Sequence, residues 1–102
     1  MGLNVELQDE QGNTLQALPD PQNSLARLLP LDNEELYPTL AGIDLYGDTL
    51  FNRVQMGRFL REWRIISAQA QSQDERGLLA AIESMALRCS NEVHLYLKFI
   101  GD

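Results

Sequence analysis

Cysteine and histidine occur once each in this chain. A lone thiol closes no internal disulfide, and a Cys–His nucleophilic pair would require Cys89 and His94 to meet. Periodicity keeps them apart, with Cys89 on the apolar stripe of a predicted helix and His94 on the polar face of the strand that follows. Basic residues are also scarce: eight Lys and Arg stand against fifteen Asp and Glu, a net charge of -7. Counterion release on a phosphate backbone needs clustered cations, so general nucleic-acid binding is excluded. Long apolar runs are missing as well. The longest, Leu78–Ile82, falls far short of the roughly 20 residues that span a bilayer, so no membrane association is expected. The opening Met1–Glu6 has neither a basic nor an apolar leader region and lacks the Ser or Thr of a myristoylation signal, which makes a cytoplasmic chain the expectation. Phosphate-binding loops, nucleophile elbows, zinc-protease helices and Cys-x-x-Cys pairs do not occur. No catalytic residue, metal ligand or cofactor follows from motifs.

What the chain does contain is enough apolar material for one core. With 102 residues, 44% hydrophobic and 23% charged, it reads as a single globular domain over 1–102, burying roughly 65% of the surface of its unfolded form. Leu3–Leu7 alternates apolar and polar residues, the period of a strand with one buried face. Asp9–Asn13, with Gly12, predicts a hairpin loop leading to a second strand over Thr14–Leu18. All four prolines (Pro19, Pro21, Pro30, Pro38) follow within twenty residues and exclude a long element there. Between them Asn23 or Ser24 can cap a short helix whose Leu25, Leu28 and Leu29 share a face, and Asn33–Tyr37 allows one further turn.

Leu40–Leu45 alternates again and predicts a third strand, followed by a turn at Tyr46–Thr49; Thr49–Phe51 as the return arm of a tight hairpin is the alternative. Asn52 and Gln55 match a variant capping box, with Phe51 and Met56 at the staple positions, so a helix starts near Arg53. Met56, Phe59, Leu60, Trp63, Ile66 and Ala70 form its apolar stripe. Ser72 and Glu75 form a second capping box for a helix over about Gln73–Ser90, whose stripe is Leu78, Leu79, Ile82, Met85, Ala86 and Cys89. Val93–Ile100 closes the chain as a strand, placing Val93, Leu95, Leu97 and Phe99 on one face and His94, Tyr96, Lys98 and Ile100 on the other. The predicted fold is α+β: a four-stranded, mainly antiparallel sheet built from an N-terminal hairpin, a central strand and a C-terminal strand, with a two-helix hairpin packed on one face.

Three groups of residues invite a functional reading. Asp44, Tyr46, Asp48, Thr49 and Asn52 are the densest polar cluster; turn chemistry accounts for it, while a docking surface or an acid and base pair on Asp44 and Asp48 are the sharper readings. The spacing fits no calcium loop. His94, Tyr96 and Lys98 alternate along one strand face, either as a solvated row or, with Ile100, as a small amphipathic partner patch. Arg53, Arg58, Arg61 and Arg64 lie on the arc opposite the core stripe, solubilising or anion-binding, since guanidinium pairs bidentately with carboxylates and phosphates. Leu87 falls opposite its own helix's stripe.

The segment Tyr46-Gly47-Asp48-Thr49-Leu50-Phe51-Asn52 and the ending His94-Leu95-Tyr96-Leu97-Lys98-Phe99-Ile100-Gly101-Asp102 resemble a family of small, single-domain bacterial proteins. Those proteins share a Y-G-D-T-x-F-N segment and an H-x-Y-x-x-F-I-G-D ending. The resemblance implies a bacterial protein and brings no activity with it. It carries over no catalytic residue and directs attention to the polar turn and the terminal strand.

Charge placement favours a function in binding. Residues 1–50 hold nine acidic residues and one arginine, whereas residues 51–102 hold six acidic and seven basic ones. An acidic surface of this kind steers association with a cationic protein. The expectation is a small acidic protein-binding module, of the immunity or antitoxin kind, with Asp44, Tyr46, Asp48, Asn52, His94, Tyr96 and Lys98 as candidate contacts. The alternative is a small metal-dependent or acid-base enzyme using Asp44 and Asp48, and a homodimer through the C-terminal strand or Leu87 is the third reading. Composition alone meets the needs of the first, while the enzyme requires geometry.

Overall fold

The computed structural model describes residues 3–20 and 22–101. Met1 and Gly2 of the opening segment, Pro21 of the proline cluster and Asp102 of the terminal segment lie outside them.

The N-terminal hairpin forms as the alternation dictates, with β1 at Asn4–Asp9 and β2 at Thr14–Leu18. Leu3, Val5 and Leu7 are buried, while Asn4, Glu6 and Gln8 face the other way. The connecting loop closes on Asp9. Its Oδ1 accepts from the amides of Gln11 and Asn13 at 2.9 Å each, and Gly12 takes a φ of 84° that a side chain would resist. These bonds hold the Asp9 carboxyl below its ordinary range, the Asn13 amides contributing most.

The short helix α1, Ser24–Leu28, is capped from further away than expected. Asn23 sits at φ 57° and its side chain makes no cap bond. The buried Asp20 does the work, accepting from the amides of Ser24 (3.0 Å) and Leu25 (2.7 Å). Leu25 and Leu29 of the predicted face are buried, with Leu28 packed at the margin.

The third strand is not where the alternation put it. Leu40–Gly42 is a 3₁₀ turn, and β3 is Asp48–Asn52, which is nearer to the Thr49–Phe51 alternative. Leu40 and Ile43, three apart, are both buried, so an apolar pair spaced for a helical turn had read as a strand. The capping box at Asn52 and Gln55 is complete in both directions. It opens a 3₁₀ turn that runs into α2, Met56–Ser67. Helix α3, Gln73–Asn91, starts at Ser72, whose hydroxyl accepts from the Glu75 amide. The chain ends in β4, Leu95–Ile100.

The four strands pair antiparallel throughout, in the order β2-β1-β4-β3. Helices α2 and α3 pack on each other and on one face of the sheet. Phe51, Phe59, Trp63 and Phe99 form the centre of that core. Phe59 stacks on Trp63 (centroids 5.1 Å, 11°), and Phe51 meets Phe99 edge-on at 5.9 Å. Of the two predicted stripes, Leu78 and Ala70 are half-buried and the remaining members buried. Cys89 is a core residue, as its stripe position implies. Burial pushes its thiol up to about 11, partly offset by the Leu97 amide, so it stays protonated at neutral pH.

Gly101 marks where the segment before β3 crosses the end of β4. A Cβ there would lie 2.5 Å from the Leu45 carbonyl oxygen and 2.7 Å from the Gly47 nitrogen, both backbone atoms. Gly101→Ala is expected to lower unfolding free energy by about 1–3 kcal/mol, read from urea denaturation; a change within about 0.5 kcal/mol would show that this crossing yields freely.

Candidate functional site

The helices cover one face of the sheet and leave the other bare. In register, that face presents Asn4, Ile100 and Asp48 in one row, Ala17, Glu6, Lys98 and Leu50 in the next, and Thr14, Gln8, Tyr96 and Asn52 in a third. None of these side chains is buried. Tyr96, Lys98 and Ile100 thus lie where the sequence placed them. Their neighbours from β1, β2 and β3 turn a single-strand row into a surface.

His94 lies outside the paired rows, although it borders a depression at their end with Asn52 and Tyr96. It precedes β4 in a left-handed turn with φ 65° and pairs its Nδ1 with Glu10 Oε2 at 3.1 Å in an exposed contact. Val93, expected on the inward face, is exposed. The turn from α3 into β4 takes both residues before pairing begins at Leu95.

Electrostatically the open face is organised around Glu6. Its Oε1 accepts from Thr14 Oγ1 and from Gln8 Nε2, each at 2.8 Å. These two bonds, Thr14 first, hold the Glu6 carboxyl below the usual carboxylate range, with the Lys98 ammonium adding to the shift. Glu6 is therefore an ionised acceptor fixed in place at neutral pH. Lys98 also reaches Asp48 Oδ2 at 3.5 Å. Among the described residues of this face Lys98 is the one cation, set between two carboxylates.

The polar turn is closed on itself. Asp44 Oδ1 accepts from the Tyr46 amide at 2.9 Å, and Thr49 Oγ1 accepts from the Asp44 amide at 2.9 Å. Asp48 turns to Lys98 and Asn52 caps the following turn. Asp44 and Asp48 are engaged with different partners, Asp44 with the Tyr46 amide and Asp48 with Lys98. Among the described residues no group of three or more His, Cys, Asp or Glu is placed to hold a metal ion. Tyr46 projects 83% exposed.

The arginine arc divides among separate tasks. Arg53 Nε donates to the Ser90 carbonyl at 3.3 Å, near the negative end of α3, and Arg64 Nε lies 3.7 Å from Glu83. Arg58 and Arg61 make no ion pair among the described residues and border a shallow depression of about 260 Å³ with Leu36, Pro38, Glu62 and Ile65. A second depression, about 290 Å³, opens at the end of the bare face between Val54, Val93 and Tyr96.

Two acids that the sequence reading passed over are structural. Asp20 caps α1, and Glu62, 5% exposed on α2, accepts from the amides of Thr39 and Leu40 at 2.9 to 3.2 Å. Glu62 follows Phe59 by three positions, at the margin of the apolar stripe, and that position was the available signal of burial.

Comparisons of the chain with protein-family models, with curated proteins and with solved structures return no match. Among the described residues no helix is long and apolar enough to cross a membrane.

Proposed function

We propose that this chain is a small acidic protein-binding module, of the immunity or antitoxin kind, whose docking surface is the bare face of the sheet. The observation that supports the reading is the chemistry of that face: Tyr96, Ile100 and Leu50 offer apolar contact, while Glu6 and Asp48 outnumber Lys98. A cationic protein complements it, since the fixed Glu6 carboxylate needs no reordering to accept a guanidinium. Tyrosine suits such a site because it contributes large contact area with few rotatable bonds. The partner's basic character makes association fast and salt-sensitive.

Affinity capture from the source cell tests this with two baits, the wild type and Tyr96→Arg. The expected result is a basic protein retained by the wild type at low salt, released as salt rises, and not retained by Tyr96→Arg. Equal retention by both baits, or retention of none, contradicts the reading.

A further inference from the structure

The sheet has two free edges, β2 and β3, because β4 is flanked on both sides by β1 and β3. The expected homodimer through the C-terminal strand therefore has no strand edge to use. The β2 edge is irregular, with its register shifting between Leu7 and Gln8, a feature that twists an edge away from further pairing. The β3 edge pairs regularly along its whole length.

Which groups of β3 point outward follows from one bond. Gly101 N–H donates to the Gly47 carbonyl at 2.7 Å, one step beyond the Asp48–Ile100 pair. Alternation in an antiparallel ladder then directs the amides and carbonyls of Thr49 and Phe51 toward β4, and those of Asp48, Leu50 and Asn52 outward. The Asn52 amide agrees, since it donates away from the sheet to Gln55 Oε1 at 2.7 Å. Among the described residues the outward groups of Asp48 and Leu50 have no partner.

We propose that the β3 edge binds a second copy of this chain, β3 against β3 in antiparallel register centred on Leu50. The sequence is self-complementary about that point. Leu50, 53% exposed, meets its own copy with two backbone bonds, and Asp48 falls opposite the partner's Asn52, whose backbone amide and Oδ1 stay with Gln55 and whose side-chain Nδ2 donates to the carboxylate. The exposed Leu50 side chain is covered, and the two bare sheet faces become one. A five-residue edge buries less than the roughly 1,200 Å² of a stable interface, so the dimer forms at concentrations of about 10 µM to 1 mM. This inference does not depend on the cationic partner proposed above.

Sedimentation equilibrium of the purified full chain, from about 5 µM to about 1 mM, tests it. The expected wild-type mass climbs from 11.5 kDa toward twice that value. Leu50→Lys sets two ammonium groups opposite each other and is expected to weaken association at least about tenfold. Leu15→Lys, on the β2 edge, leaves association unchanged. A wild type that stays monomeric, a dimer indifferent to Leu50→Lys, or equal losses in both variants would overturn the proposal.

Discussion

Trp63→Ala is expected to lower the unfolding free energy by about 4 kcal/mol, the largest effect of any single truncation in this core. The indole is fully buried, stacks on Phe59 at 5.1 Å and lies 6.3 Å from Phe99. Its Nε1–H donates to the Leu79 carbonyl at 2.9 Å, tying α2 to α3. Truncation removes the stack, the bond and the volume together, and small domains hold only about 5–15 kcal/mol in total. Trp63→Phe separates these contributions: the ring stack survives, and the missing donor costs about 1–2 kcal/mol. Urea denaturation followed by far-ultraviolet circular dichroism reads both. Equal losses in the two variants would show that the hydrogen bond, and not the packing, holds the helices together.

Glu62→Ala is expected to lower stability by about 3 kcal/mol, a fall in midpoint temperature of about 15 °C for a domain of this size. The cause is the orphaning of backbone donors. With the carboxylate gone, the amides of Thr39 and Leu40 lose the acceptor held at 2.9 to 3.2 Å, and the Leu40 amide is left buried. Removing a buried charged acceptor is costly because its partners stay behind. Glu62→Gln keeps one acceptor oxygen and recovers part of the loss. Amide exchange gives the local readout: the 3₁₀ turn at Leu40–Gly42 should open before the sheet does. A midpoint shift below about 3 °C in Glu62→Ala would place the anchor of that turn elsewhere.

The same carboxylate explains why the third strand was misplaced. Leu40–Leu45 alternates in sequence, yet Thr39 and Leu40 are held in a turn by a side chain more than twenty residues away. No local pattern contains that bond. Where the determinants are local, pattern and structure agree. The hairpin, both helix starts and the inward face of β4 follow from alternation, capping boxes and 3.6-residue stripes. His94 failed for a related reason, because alternation continues through a residue that the backbone spends on a left-handed turn.

The candidate site was legible in part. Tyr96, Lys98 and Ile100 were placed on the correct face from β4 alone. Glu6, Gln8, Thr14 and Leu50 join them only through strand order, which the single sequence does not specify. The arginine arc looked continuous by helical angle, but its members are divided by neighbours in α3 and in the loop before β3. The net charge of -7 likewise concealed how the acids are used: Asp20 and Glu62 are buried caps, Asp9 closes a hairpin, and Glu6 and Asp48 face outward.

The bare sheet face is the proposed docking surface. Amide chemical-shift mapping of the isotope-labelled chain, titrated with the captured basic protein, tests it most directly. Perturbations are expected to concentrate at Glu6, Gln8, Tyr96, Lys98 and Ile100 and to weaken as salt is raised. Perturbations concentrated instead at Arg58, Arg61 and Ile65, on the opposite side of the molecule, would contradict it.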